Sequence, residues 1–348
     1  MKKSSEFGFA DLSVRHRKVK ETFFRQIDTL IDWSVIESVI DCYYNKCHHP
    51  VGRPGYSGLT LFKMTLLQTW YNLSDYEVED QVNDRISFSR FVGISMDGSV
   101  PDHSVVSRFR SLLTKAKAYD HLLDLVNQQL EAHDILVRQG VIVDASVTES
   151  PRRPRGKKCY KVVEDRKEEE SGVVETHLEE SPCSHVDPDG RWLKKRGRLH
   201  FGFKQHTAVE TNGLILGVIT TSANLSDIKY LEDVLKRVAP SPKTWVKADK
   251  GYKSAENDTV LRSMRLRSHV MHKASKGHPL STRAIALNKA ISGTRYKVER
   301  TFGSMKRWFG AGKARYVGLE KMHTQHLMEA IAHNLYRAPG IAMSLCEE

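Results

Sequence analysis

Three carboxylates stand at positions where acids are seldom left unpaired. Asp144 follows the apolar run Val141-Ile-Val, Asp249 ends Trp245-Val-Lys-Ala, and Glu299 lies between Gly293 and Phe309, where apolar residues recur at helical spacing. Both aspartates are expected at or near strand ends. A buried charge without a partner is avoided in folded proteins, so the pair asks for a cation or a pairing network. Each alone has a simpler reading, Asp144 starting a turn and Asp249 capping one before Lys250-Gly251. With Arg295 set at zero on a helical wheel, Lys306 falls near ~20° and Glu299 near ~40°, so the three make one charged stripe. Val298, Phe302, Met305 and Phe309 form an apolar stripe directly beside it. The plainer reading of Arg295 and Glu299 is an intrahelical pair worth about 0.3–0.5 kcal/mol on a solvated surface. Taken together, carboxylates from two strands and a helix suit Mg2+ or Mn2+, which prefer hard oxygen ligands. Two such ions would activate the attacking oxygen and stabilise the leaving oxygen of a phosphodiester. Arg295 and Lys306 would then hold backbone phosphates.

Other constellations offer less. Cys47-His48-His49 and Cys183-Ser-His185 contain zinc-ligand types, but neither has a matching second pair at standard spacing. Ser146, Thr148 and His206 have the types of a hydrolase triad without the glycine pattern of a nucleophile elbow. Lys204 and His206 are expected to line a DNA path or to serve the fold.

The elements that must position the three acids fall into two regions. From about Lys20 to Gln139 the periodicity is helical. Leu59, Phe62, Leu66, Leu67 and Trp70 mark an amphipathic helix after the turn Gly52-Arg-Pro-Gly55, and Ser74 with Glu77 has the form of a capping box. Another helix starts at Asp102, expected to bury Val105, Val106, Phe109, Leu112 and Leu113 and to present Ser104, Ser107, Arg108 and Ser111 outward. Two readings of that polar face stand side by side: a helix-turn-helix reading a DNA groove, and an ordinary bundle with a wet outer surface. Strand texture begins at Val141. Residues 148–198 read as a long, polar, partly disordered insertion, too poor in apolar side chains to offset its ordering entropy. Strands resume over Phe201 to Glu210, turn at Thr211-Asn-Gly213 and return over Leu214 to Thr221. A helix over Leu225 to Val238, a strand ending at Asp249, a helix from Ser254, a strand from Ser268 and a helix from Thr294 follow. A last periodic segment, Leu319 to Tyr336, is expected to pack on the sheet through Leu327, Ile331 and Leu335. This order predicts a mixed α/β (α+β) sheet flanked by helices, the layout of an RNase H-like core, with an N-terminal all-helical domain. The expected division is 1–136 and 137–348.

The 348 residues suffice for two cores. Lys and Arg number 54 against 42 Asp and Glu, a net charge of +12, which points to an acidic polymer as partner. Five irregularly spaced cysteines disfavour a disulfide framework and fit a reducing cytoplasm. No apolar run approaches the ~20 residues that span a bilayer, so membrane insertion and export are disfavoured.

Several strings then resemble one family. Tyr296-Lys-Val-Glu-Arg-Thr-Phe-Gly-Ser-Met-Lys306, Val143-Asp-Ala-Ser146, Ala248-Asp-Lys-Gly-Tyr-Lys-Ser254, His200-Phe-Gly-Phe-Lys-Gln-His206 and Ser222-Ala-Asn-Leu-Ser-Asp227 are similar to strings of transposases of the insertion-sequence-five family. The helical segment from Gly52 to Leu113 is similar to that family's N-terminal domain, so nearly the whole chain takes part. The resemblance implies a DDE transposase in which Asp144, Asp249 and Glu299 bind the metals. Arg295 and Lys306 would be the Arg and Lys of its Tyr-Arg-Glu-Lys signature. The chain departs from that signature at Ser292, where the tyrosine would stand. Also implied are binding of terminal inverted repeats, with DNA contacts from Arg108, Ser104 and Ser107, metal-dependent cleavage and strand transfer, a homodimer pairing two DNA ends, and a place in the bacterial cytoplasm with the nucleoid. Two other readings share these features: an RNase H-like nuclease that does not join strands, and a DNA-binding regulator derived from a transposase and catalytically silent.

Overall fold

The computed structural model describes residues 22–44, 55–156, 159–165, 175–181, 183, 185–195, 197–274 and 279–346. Cys47 to His49, the turn residues Gly52 to Pro54 and the acidic run Glu168 to Glu170 lie outside the described residues. The N-terminal region is helical: α1 (Thr22–Leu30), α2 (Trp33–Tyr43), α3 (Gly58–Tyr71), α4 (Asp75–Asp84), α5 (Ile86–Val92), α6 (His103–Lys115) and α7 (Ala118–Ala132). Local chemistry sets their starts. Ser57 caps α3, Ser74 and Glu77 form the expected capping box of α4, and the Asp102 carboxylate accepts from the backbone N–H of Ser104 and Val105 to open α6. Two packing expectations needed correction. Helix α3 is buried along nearly its whole length from Leu61 to Trp70, because other helices surround it, so it is not amphipathic. On α6, Val106, Phe109 and Leu113 are buried while Leu112 is 41% exposed, and the inward position is taken by Arg110. Its guanidinium makes a bidentate pair with Asp75 at 2.8 Å and lies over the Tyr316 ring.

The sheet is built from β1 (Gly140–Glu149), β4 (Arg191–Lys195), β5 (Arg198–Val209), β6 (Ile215–Ser222), β7 (Trp245–Ala248) and β8 (Arg267–Val270), while β2 (Cys159–Asp165) and β3 (Glu175–Ser181) form a separate two-stranded hairpin. Strand β1 pairs antiparallel with β5 and parallel with β7; β5 pairs antiparallel with β6, and β7 parallel with β8. This is the expected RNase H-like layout, with the turn at Thr211-Asn-Gly213 joining β5 to β6. Helices α8 (Leu231–Val238), α9 (Ala255–Ser263), α10 (Thr282–Trp308) and α11 (Leu319–Cys346) accompany it.

The stretch 148–198 departs most from expectation. It is not a plain disordered insertion: β1 runs on to Glu149, β2 and β3 pair, and β4 adds to the edge of β5. An edge strand is held by backbone hydrogen bonds and needs few apolar side chains, so composition understated it. Within it Cys183 is disulfide-bonded, which cysteine spacing did not foretell. The predicted helix from Leu225 is shorter, a single tight turn over Asp227–Tyr230 leading into α8. Helix α10 begins at Thr282 rather than Thr294, and α11 continues past Pro339. Helix α11 is also more than a covering layer. It is buried nearly all round between Thr324 and Leu335, against β6 on one side and the N-terminal helices on the other, and Trp70 Nε1 donates to Ala332 O at 2.9 Å. One hydrophobic cluster therefore runs from Leu61 and Phe62 through Ile331 and Leu335 to Val143 and Val246.

Candidate active site

Strand pairing puts the two aspartates side by side. The last parallel pair of β1 and β7 is Val143 with Ala248, and Asp144 and Asp249 are the next residues of each chain. Asp249 therefore stands just past the carboxyl end of β7, as expected, whereas Asp144 lies in the middle of β1, which runs on to Glu149 paired with β5, and is placed beside Asp249 because the parallel pairing with β7 stops there. Asp144 accepts from its neighbour Ala145 N–H at 2.9 Å. Asp249 accepts from Lys250 N–H at 2.8 Å and caps the turn Lys250–Tyr252, so the turn-forming role and a place at the site coexist.

Helix α10 supplies the rest. Its face carrying Val298, Phe302 and Met305 is buried, and Thr301 Oγ1 donates to Gly213 O at 2.9 Å, which docks the helix on the β5–β6 turn. That docking brings the Arg295 guanidinium among all three acids, 3.5 Å from Asp144 Oδ2, 3.0 Å from Asp249 Oδ1 and 2.6 Å from Glu299 Oε1. The intrahelical pair with Glu299 is thus present, as one arm of a larger cluster. Burial raises the Asp144 pKa, with the charge of Asp249 adding to it and Arg295 opposing it. Burial works against the charge of Arg295, yet the surrounding acids raise its pKa on balance. One guanidinium neutralises at most one of three carboxylates, so the cluster keeps an excess of negative charge and of hard oxygen donors. The chemistry of that donor set fits a divalent cation. Among the described residues no three His, Cys, Asp or Glu side chains already stand as a ready ligand set, since Glu299 is 60% exposed and turned to Arg295.

The other expected site residues fall elsewhere. Lys306 lies two turns along α10, roughly 10 Å of helical rise from Glu299. Its stem approaches Gly312, and its pKa is lowered by burial and by Lys195. Ser292 is exposed one turn before Arg295. Ser104 and Arg108 bond to each other at 3.1 Å on the outer face of α6, where Ser104 also donates to the capping Asp102. Ser107 is half-buried on the same helix, and the side-chain hydrogen bonds of Ser104 and Arg108 stay within α6 and its cap. Ser146, Thr148 and His206 do not assemble: Thr148 meets His326 at 3.0 Å, and His206 meets Thr221 at 2.9 Å.

One buried group beside the aspartates was not singled out in the sequence. Tyr252 is buried with its hydroxyl unpartnered, and burial together with the Asp144 and Asp227 charges raises its pKa far above the ordinary range. Buried Lys204 pairs with Asp227 at 2.8 Å and donates to Leu225 O at 2.6 Å. The only signal of Tyr252 was its place in the string around Asp249, whereas Lys204, expected to line a DNA path or to serve the fold, makes these bonds within the fold.

Known proteins agree with this architecture at the level of sequence families. Residues 136–335 match the family model described as Transposase DDE domain, and residues 13–112 match Transposase domain (DUF772). Among solved structures, the chain is similar to a piggyBac transposase synaptic complex with hairpin DNA, at 10% identity and a TM-score of 0.45, covering 97% of this chain and 78% of that one. A Mos1 transposase paired-end complex with the left transposon end gives 9% identity and a TM-score of 0.21, covering 97% and 93%. Likenesses that slight establish nothing further about the chain.

Proposed function

We propose that this chain, which belongs to the Transposase DDE domain family and so is a DNA-cutting and DNA-joining enzyme, works through Asp144, Asp249 and Glu299. Its substrate in this reading is double-stranded DNA at the terminal inverted repeats of an insertion sequence, with a second duplex as target. Residues 1–136 are the DNA-end-binding domain, using Arg108, Ser104 and Ser107, and residues 137–348 are the catalytic domain. The active complex is a homodimer holding two ends.

The observation that supports the site is a single guanidinium within ion-pairing reach of carboxylates from β1, from the end of β7 and from α10. The three acids would hold two Mg2+ or Mn2+ ions, whose Lewis acidity at a scissile phosphate favours in-line displacement. Every other role falls to this chain. Asp144 and Asp249 are fixed by neighbouring strands and by the N–H groups of Ala145 and Lys250 that their carboxylates accept from, so they set the position of the reacting phosphate. Glu299, on an exposed side chain, completes the set by turning from Arg295 toward the aspartates. Arg295, released from that pair, donates its planar fork to a non-bridging phosphate oxygen, and Lys306 holds the backbone further along. Water opens one phosphodiester to leave a 3′ hydroxyl and a 5′ phosphate, and that hydroxyl, losing its proton, attacks the target phosphodiester and displaces the target strand's own 3′ oxygen, which leaves as a 3′ hydroxyl.

The test is Asp144→Ala and Asp249→Ala, each assayed for cleavage and joining on labelled terminal-repeat duplexes with Mg2+. Both steps should disappear while duplex binding persists. Strand cleavage surviving in either variant overturns the assignment.

A further inference from the structure

Helix α10 has a second lined face. Relative to Arg295, the residues Arg300, Lys297 and Trp308 fall near ~140°, ~200° and ~220°, on the side away from the carboxylates. With the β5–β6 turn and α11, they enclose a groove of about 380 Å3. No acid lines it. Glu210, next to the lining residue Thr211, is fully buried, accepts from the N–H groups of Asn212 and Leu214 in its own turn, and lies within electrostatic reach of Lys297. Lys297 donates to Thr211 O at 2.5 Å, and Arg337 reaches Asn212 O at 3.5 Å. Among the described residues, the Arg300 side chain makes no ion pair or hydrogen bond.

Two broad rings stand over this basic floor, Trp308 at 55% and Tyr336 at 49% exposed. His333, buried in the wall, meets Gly213 O through Nε2 at 3.1 Å, so that nitrogen carries the proton. Its Nδ1 is then an acceptor, and it has no partner. Burial lowers the His333 pKa to about 4, which keeps the ring neutral. The groove therefore combines the unpaired Arg300 side chain and two further basic residues with exposed aromatic rings and an unmatched acceptor. A single nucleic-acid strand offers the counterparts: phosphates, bases with open faces, and base N–H donors. A paired duplex presents phosphates and base edges but keeps its base faces stacked and closed to Trp308 and Tyr336.

We propose that this groove binds single-stranded DNA, with a phosphate against Arg300 and Arg337 and an unstacked base against Trp308 and Tyr336. The inference rests on the DNA-processing reading above and adds a strand-holding site on the opposite face of the helix that carries Glu299.

The experiment measures binding of the full chain to a fluorescein-labelled oligothymidylate and to a labelled blunt duplex by anisotropy, without divalent metal, for the native protein, Arg300→Glu, Trp308→Ala and Trp308→Phe. Stacking on one ring changes affinity by roughly five- to a hundredfold per base. Trp308→Ala and Arg300→Glu should each weaken single-strand binding about tenfold or more, Trp308→Phe should retain most of it, and the Trp308→Ala effect on the duplex should stay under about threefold. Thermal unfolding of each variant confirms that the exposed substitutions leave the fold intact. Unchanged single-strand affinity in Trp308→Ala and Arg300→Glu overturns the proposal, and so does an equal Trp308→Ala loss on both probes. Failure of the catalytic reading shows up separately, as cleavage surviving in Asp144→Ala, whatever the groove binds.

Discussion

At the scale of single residues, Arg295 determines what the acids can do. Its guanidinium is 3.0 Å from Asp249 and 2.6 Å from Glu299, and its two nitrogens serve different carboxylates. A lysine keeps the charge but is a point donor on a flexible stem and cannot bridge the same set. Arg295→Lys is therefore expected to fold normally and to cleave terminal-repeat DNA about a hundredfold more slowly, the scale seen when one preorganised transition-state donor is lost. Single-turnover cleavage at saturating Mg2+ checks this, and a rate equal to the native one would remove Arg295 from the mechanism. The acids were legible one at a time in the sequence because each ends a recognisable run. Their meeting at one guanidinium was not, since the helical wheel gives the direction of Arg295 on its own helix but not the docking of that helix on Gly213.

At the scale of elements, the distance between the aspartates is set by the register of β1 on β7. That register begins at Gly140 opposite Trp245. A Cβ on Gly140 would lie 2.2 to 2.4 Å from atoms of the Trp245 ring, so the ring or the strand must move. Trp245 is itself held, stacked on His269 and carrying the Lys247 ammonium 4.0 Å from its centroid. Gly140→Ala should destabilise the protein by about 1–3 kcal/mol, the usual range for overpacking. It should also slow cleavage by displacing Asp249 relative to Asp144. Urea unfolding and the cleavage rate measure the two effects; a native rate together with native stability would show that the pair of strands absorbs the methyl group. The succession of strands and helices along the catalytic region could be read from periodicity. Strand β4 could not, because an edge held by backbone bonds leaves little trace in side-chain pattern, and buried Arg110 could not, because its partner Asp75 is 35 residues away.

At the scale of the whole molecule, one buried helix ties the helical region to the sheet, and it does so with polar groups that no apolar stripe announces. Along α11, Thr324 meets Thr114 at 2.9 Å, His326 meets Thr148 and Thr220 at 3.0 and 2.7 Å, and Asn334 meets Asn127 at 2.7 Å. Glu329 sits in the same row, accepting from Gln325 Nε2 at 2.8 Å through one oxygen while the other has no partner. Burial raises its pKa to about 7, against the opposing influence of Gln325, Arg315 and Lys306. The sign follows from linkage. Between the ordinary carboxyl value near 4.5 and about 7, the unfolded chain has already lost this proton and the folded chain still holds it, so stability falls as pH rises through that window. Below it both states are protonated and the group contributes no slope; above it both are ionised and the loss is complete. The difference corresponds to on the order of 3 kcal/mol between pH 4 and pH 8. Glu329→Gln keeps an oxygen to accept from Gln325 and carries no charge at any pH. Its unfolding free energy should therefore exceed that of the native protein at pH 8 and converge on it near pH 4. Parallel pH profiles for the two proteins would mean that Glu329 is ionised in the fold, compensated by Arg315 and Lys306, and that the junction between helices and sheet does not titrate.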